Sequence, residues 1–214
     1  MKKVLLIGDS IQMGYQKFVR AALEDVAEVY GMEGNAQFSL YTLRWINIWK
    51  KDESWPDDMD LVHWNTGLWD VLRICGDDTH TPIEIYGKTL VRIHNRLKIL
   101  FPKAKQIFAL STTVVEEGYD YPYQRYNSDI DNFNSEAIKA LEPLGVEIND
   151  LNSITKNIPD SCRSDMTHFY TPRGIELVGG KVLDAISASL DIPRDKIKEL
   201  SAVVPTLLAK NVGN

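Results

Sequence analysis

Short apolar runs alternate with stretches of helical spacing along most of the 214 residues, and that alternation limits the possible folds more than any other feature. Lys3–Ile7 is such a run and ends at Gly8; Ala27–Tyr30, Leu61–Trp64, Gln106–Leu110 and Val146–Ile148 are others. A run without polar alternation, as in Val4–Ile7, marks a strand covered on both faces, and the others are read as its neighbours. Between them, apolar residues recur at helical spacing over Phe18–Val26, Phe38–Trp49, Pro82–Leu100 and Asp129–Leu141. Thr171-Pro172 is an N-cap and first-turn pair that opens a further helix to about Leu190. A last helix is expected over Arg194–Ala209, with residues 193–214 as a helical appendage.

The order βαβαβαβαβα predicts an α/β chain, a three-layer α/β/α sandwich on a five-stranded parallel sheet. No repeat or linker interrupts it, so residues 1–214 read as a single domain of ordinary size. In open sheets of this kind, ligands bind beyond the carboxyl ends of the strands. Chemistry is therefore expected at Gly8–Ser10, near Gly34, at Asn65–Asp70, near Ser111–Thr113 and after Asp150.

Charge removes several function classes. The net charge is −6, and no Lys/Arg run exceeds two residues. A nucleic-acid surface needs a basic patch, and an anionic membrane attracts one, so neither partner is expected. The two cysteines, Cys75 and Cys162, form no C-x-x-C pair and read as free, buried thiols of a cytoplasmic protein. Lys2-Lys3 with Val4–Ile7 imitates a signal peptide, but Gly8-Asp9 breaks the run too early. Nucleotide-binding loops of the G-x-x-x-x-G-K-[ST] and G-x-G-x-x-G types are absent, which argues against a flavodoxin-type nucleotide binder. The oligomeric state is left open.

Four pieces could carry chemistry. Ser10, where the first strand ends, can present its hydroxyl to the crevice beside helix N–H groups that favour negative charge. By itself, Gly8-Asp9-Ser10 reads first as a helix N-cap with no catalytic role. His168 follows Asp165 by three residues, a spacing that lets the carboxylate fold back onto the ring. His63, His80 and His94 fall in a strand, a polar loop and a helix, and fit structural roles. Asn65 precedes Gly67 after the third strand; its amide could donate to an oxyanion or form a simple turn. Gly34-Asn35 follows the second strand and offers backbone N–H groups or a turn. A serine, a base with its orienting acid, and oxyanion donors make the full set for acyl transfer.

In this combination the chain resembles the SGNH, or GDSL-type, hydrolases. Their first block is Gly-Asp-Ser at the end of strand one, here Gly8-Asp9-Ser10; their last is Asp-x-x-His before the C-terminal helix, here Asp165 and His168. The family commonly has Gly-x-Asn-Asp after strand three. Here Gly67-Leu68-Trp69-Asp70 puts Trp69 in the place of the Asn, and Asn65 looks like the replacement amide, as in a branch carrying Asn-x-Gly-Leu-x-Asp. For the second block Gly34 is one candidate, and counting back from Arg44 gives Asn35.

The resemblance implies a flavodoxin-like sandwich and a serine esterase that needs no metal or organic cofactor. Ser10, Asp165 and His168 would be its triad, and the Ser10 N–H, Gly34 or Asn35, and Asn65 its oxyanion hole. The expected partner is a small-molecule ester. Trp45, Trp49, Trp55, Trp64, Trp69, Tyr119, Tyr121, Tyr123 and Tyr126 could stack on sugar rings or be ordinary packing aromatics. The favoured reading is removal of O-acetyl groups from a saccharide. A lysophospholipase or acyl-thioesterase on the same triad, and a non-catalytic carbohydrate-binding relative, are the alternatives.

Overall fold

A computed structural model describes residues 1–198. The elements in chain order are β1 (Lys2–Ile7), α1 (Ser10–Ala22), β2 (Ala27–Gly31), α2 (Ser39–Asp52), β3 (Leu61–Trp64), β4 (Arg73–Ile74), α3 (Ile83–Leu100), β5 (Lys105–Ala109), β6 (Tyr123–Gln124), α4 (Asn127–Leu141), β7 (Glu147–Asn149), α5 (Leu151–Thr155) and α6 (Pro172–Leu190). Five strands form one sheet in the order β2-β1-β3-β5-β7. All its pairings are parallel, with Leu6 opposite Gly31 and His63, and Trp64 opposite Phe108. The short β4 and β6 pair antiparallel as a separate ribbon.

The strand assignments expected from the sequence hold to within about a residue at each end. Val4 to Ile7 and Leu61, Val62 and Trp64 are all buried, as strands clothed by helices on both faces must be. Helix α1 packs on α6, while α2, α3 and α4 pack in series. The chain leaves β1 for one edge through β2 and returns to β3 on the other side of β1. The crevice between the carboxyl ends of β1 and β3 is thus the switch point at which such sheets bind ligands.

Two helices differ from expectation. Helix α1 begins at Ser10, eight residues before Phe18, and ends at Ala22 rather than Val26. The buried face of its first half includes Gln12 beside Ile11 and Tyr15, and the polar side chain breaks the apolar period. Leu23–Val26 is a turn instead, with the Val26 and Ala27 N–H groups donating to the Leu23 carbonyl. The expected helix from Arg194 contains one 3₁₀ turn, Arg194–Lys196, after which Ile197 returns to the core; its remainder, from residue 199, lies outside the described residues. The cysteines are both free, but Cys75 is exposed, not buried. It sits at the end of the β4–β6 ribbon with φ +59°, where its N–H donates to the Pro122 carbonyl.

Candidate active site

The nucleophile candidate owes its freedom to its neighbour. Asp9, not Ser10, is the N-cap of α1, and its carboxylate accepts the Ile11 N–H at 3.0 Å. Ser10 is the first helical residue, so its N–H is one of the first-turn donors that a helix leaves without an internal acceptor. Its hydroxyl takes no part in the cap and lies 2.8 Å from His168 Nε2. The other ring nitrogen, Nδ1, meets Asp165 Oδ2 at 2.7 Å and Oδ1 at 2.9 Å. Three side chains that span 158 residues of sequence thus form one hydrogen-bonded chain at the end of β1.

The loop that carries the histidine is held at both ends. Asp165 Oδ1 accepts the Thr167 N–H at 2.7 Å and the His168 N–H at 2.8 Å, and the Ser164 N–H donates to the His168 carbonyl. Burial works against a charged Asp165, but these N–H groups and the imidazole outweigh it and hold its pKa below the usual carboxylate range. The Val115 N–H donates to Met166, and the Tyr119 and Thr167 hydroxyls meet at 2.6 Å. Thr171 caps α6 from just beyond the loop. Tyr170 crosses the site: its ring stacks on His168, and its hydroxyl donates to the Ser10 carbonyl at 2.6 Å.

The oxyanion candidates separate. Asn65 is buried and its amide donates to Asp9 Oδ1 at 2.9 Å, which commits one of its two hydrogens. Its Oδ1 presses on Gly8, where a Cβ would stand 1.9 Å away, so only glycine fits there. Burial raises the pKa of Asp9, opposed by the bonds from Asn65 and Ile11. Asp9 Oδ2 and Asn65 Oδ1 are both buried without a donor. Gly34 is exposed and nothing close to it requires a glycine. Asn35 turns its side chain back to accept the Gln37 N–H at 2.8 Å, the turn that the sequence also allowed. Neither residue is on the wall of the cavity that holds Ser10.

That cavity has a volume of about 440 Å³ and opens on Ser10 and His168. Of the nine aromatics singled out in the sequence, Trp69, Tyr119 and Tyr123 line it. Trp55 and Trp64 are core residues instead, Trp64 edge-on to Phe108. Trp45 and Trp49 belong to α2 and gather round Tyr41. Gly67, at φ +144°, lets the third loop pass Ser111, whose hydroxyl would lie 2.2 Å from a Cβ. Asp70 is not a site residue. Fully buried, it accepts the Ser39 N–H and hydroxyl and the Thr66 hydroxyl, and so caps α2 from another loop.

Sequence reasoning missed Tyr170 and Arg125. Tyr170 had one signal, a glycine inside α1: a Cβ on Gly14 would stand 2.5 Å from its ring. Arg125 lies in a tyrosine-rich segment without any motif. It is buried against the cavity. Two of the other histidines are structural. His63 sits between Tyr15 and Asn149, and burial lowers its pKa to about 3; His94 bonds Gln106. Among the described residues no cluster of three or more His, Cys, Asp or Glu could hold a metal, and no helix is long and apolar enough to cross a membrane.

Fold and site together define a class: parallel α/β/α sandwiches with a Ser-His-Asp chain at the strand ends. Solved structures agree on the fold. The chain superposes on the lipase/acylhydrolase from Enterococcus faecalis with TM-score 0.69 and 18% identity, over 92% of this chain and 98% of that one. It matches the acetyl xylan esterase AlAXEase with TM-score 0.65 and 18% identity, over 86% and 99%. A member of the lipolytic protein G-D-S-L family from Veillonella parvula gives 0.64 and 18%, over 87% and 99%. The fold is that of the GDSL-type acylhydrolases. No protein-family model matches the sequence, and no curated protein is significantly similar to it.

Proposed function

We propose that the protein is a serine esterase of the SGNH, GDSL-type, class that hydrolyses carboxylic esters. The observation that carries this reading is the chain from Ser10 Oγ through His168 to Asp165, facing a cavity at the sheet's switch point. Ser10 Oγ attacks the ester carbonyl carbon, and its proton passes to His168 Nε2. Asp165 holds Nδ1–H and stabilises the imidazolium. The carbonyl oxygen becomes an oxyanion near the Ser10 N–H, with the remaining Asn65 hydrogen as a further donor; Gly34 and Asn35, off the cavity wall, are not needed for it. The C–O bond to the alcohol breaks as His168 returns the proton to the leaving oxygen. Water then gives a proton to His168 and its oxygen to the acyl carbon; the acid leaves and Ser10 regains its proton.

Within that class the favoured reaction is removal of O-acetyl groups from a soluble saccharide. Trp69, Tyr119 and Tyr123 on the wall supply faces for a sugar ring, and one structure of the same fold is an acetyl xylan esterase. The two free thiols favour the cytoplasm as its setting. The test is acetate release from a panel of acetylated xylo-, pectic and amino-sugar oligosaccharides, beside p-nitrophenyl acetate and octanoate. Acetate release and a preference for the acetyl ester are expected. A strong octanoate preference would move the assignment to a lysophospholipase or thioesterase. A folded protein that turns over neither ester and does not react with a fluorophosphonate would be a non-catalytic relative.

A further inference from the structure

Arg125 follows β6 and lines the same cavity as Ser10 and His168, although only 8% of its surface is exposed. Its Nε–H donates to the Leu68 carbonyl at 2.6 Å and an Nη1–H to the Tyr119 hydroxyl at 3.3 Å. These bonds place the guanidinium, which also lies over the Tyr119 ring at 5.5 Å. They use two of its five N–H donors. Buried charges are normally paired, because desolvating them alone is costly. Arg73, which is more exposed, takes Asp129 at 2.8 Å. Arg125 has no carboxylate within ion-pair distance among the described residues. Asp9, beneath Ser10, feels its field without touching it. Asp120 is on the wall but exposed, where water screens it. The apolar Leu68, Leu72 and Met166 make up other parts of the wall and strengthen any charge interaction beside them.

We propose that the substrate is an ester bearing an anionic group, and that the three unused N–H donors of Arg125 bind this group beside the ester bond. The inference rests on the esterase reading above and narrows it to acidic esters. A carboxylate fits best, since the planar fork of a guanidinium pairs with it through two parallel bonds. An O-acetylated acidic sugar would satisfy both the cation and the aromatic wall. Arg125 is then a specificity-determining residue.

The experiment compares kcat/KM for 4-acetoxybenzoate and for its methyl ester, each divided by its hydroxide-catalysed rate, with 4-acetoxyphenyl phosphate as the phosphate arm. A charge-assisted pair predicts a preference for the anion of about 10- to 100-fold. That ratio should fall to near one in Arg125→Gln and by at least threefold in Arg125→Lys, which keeps the charge but loses the fork. A preference for either anion that depends on Arg125 supports the proposal, and the larger of the two names the group. No preference in the unaltered protein, or one that survives Arg125→Gln, overturns it. If Arg125→Gln does not fold, an unchanged ratio in Arg125→Lys overturns it equally. Calorimetric binding of the same esters to Ser10→Ala gives the ratio without turnover. A protein that binds the anion through Arg125 and hydrolyses nothing would keep this site and lose the esterase reading.

Discussion

Tyr170 lies flat against His168, with ring centroids 4.7 Å apart and planes 27° from parallel, and its hydroxyl donates to the Ser10 carbonyl at 2.6 Å. One side chain therefore touches both the proposed base and the backbone of the proposed nucleophile. Burial pushes its phenol up to about 12, so it remains a donor across the working range of an esterase. Tyr170→Phe keeps the stack and loses one hydrogen bond. We expect a three- to tenfold fall in kcat/KM on p-nitrophenyl acetate, in line with a contribution of about 1 kcal/mol. A loss beyond a thousandfold would show a direct part in the chemistry.

Removing either end of the Ser10–His168 bond should remove the reaction. Ser10→Ala and His168→Ala are each expected to cost on the order of 10⁴–10⁶ in kcat, and the double variant little more. Ser10→Ala should also abolish labelling by a fluorophosphonate. Intact ester hydrolysis in Ser10→Ala would end the assignment.

Asp165→Asn tests the orienting acid. The amide cannot both accept the two backbone N–H groups and hold the imidazole as the carboxylate does. A fall of roughly 10³–10⁴ in kcat is expected. The protein should still fold, because Asp165 is partly exposed and the loop keeps its ties through Met166 and Thr167.

Acid stability carries a signature of His63. Its folded pKa of about 3 lies below the ordinary 6.5. Between those values the unfolded chain binds a proton that the native state refuses, so stability rises with pH. The contribution is complete above about 6.5 and is lost as pH falls toward 3, with a slope of up to about 1.4 kcal/mol per pH unit. Asp9 and Asp70, whose pKa values burial raises, act in the opposite sense. The difference between the protein and His63→Gln in urea titrations from pH 4 to 7 isolates the histidine. A difference that does not change with pH would contradict this account.

Asp70→Ala leaves the Ser39 N–H and the Ser39 and Thr66 hydroxyls without their acceptor in the interior. Loss of a cap together with buried polar satisfaction predicts a fall in stability of about 2–4 kcal/mol. Asp70→Asn, which retains an acceptor oxygen, should lose less. Denaturant midpoints distinguish the two.

The sheet was readable in the sequence because short, mostly apolar runs, of which Val4–Ile7 is the clearest, alternate with stretches of helical spacing. Ser10, Asp165 and His168, which the fold joins in one hydrogen-bonded chain, were readable as candidates because Gly8-Asp9-Ser10 and Asp165-x-x-His168 are local patterns at places where such a sheet exposes its strand ends. What stayed hidden is what folding brings from afar. Asp70 caps a helix that begins 31 residues earlier, and Arg125 reaches Leu68 across 57. Neither relation leaves a periodic trace. The start of α1 was hidden for a different reason: Gln12 is buried where a helix facing the core ordinarily shows an apolar residue.

The separation of 158 positions between Ser10 and His168 also sets an order of events during synthesis. Ser10 leaves the ribosome well before its partner, which comes only after β7, the last strand of the sheet. A nascent chain that has already built β1, β2 and β3 holds Ser10 without its imidazole partner. A translation product interrupted before His168 therefore keeps its Ser10 hydroxyl without that hydrogen-bond partner, however much of the sandwich it has formed.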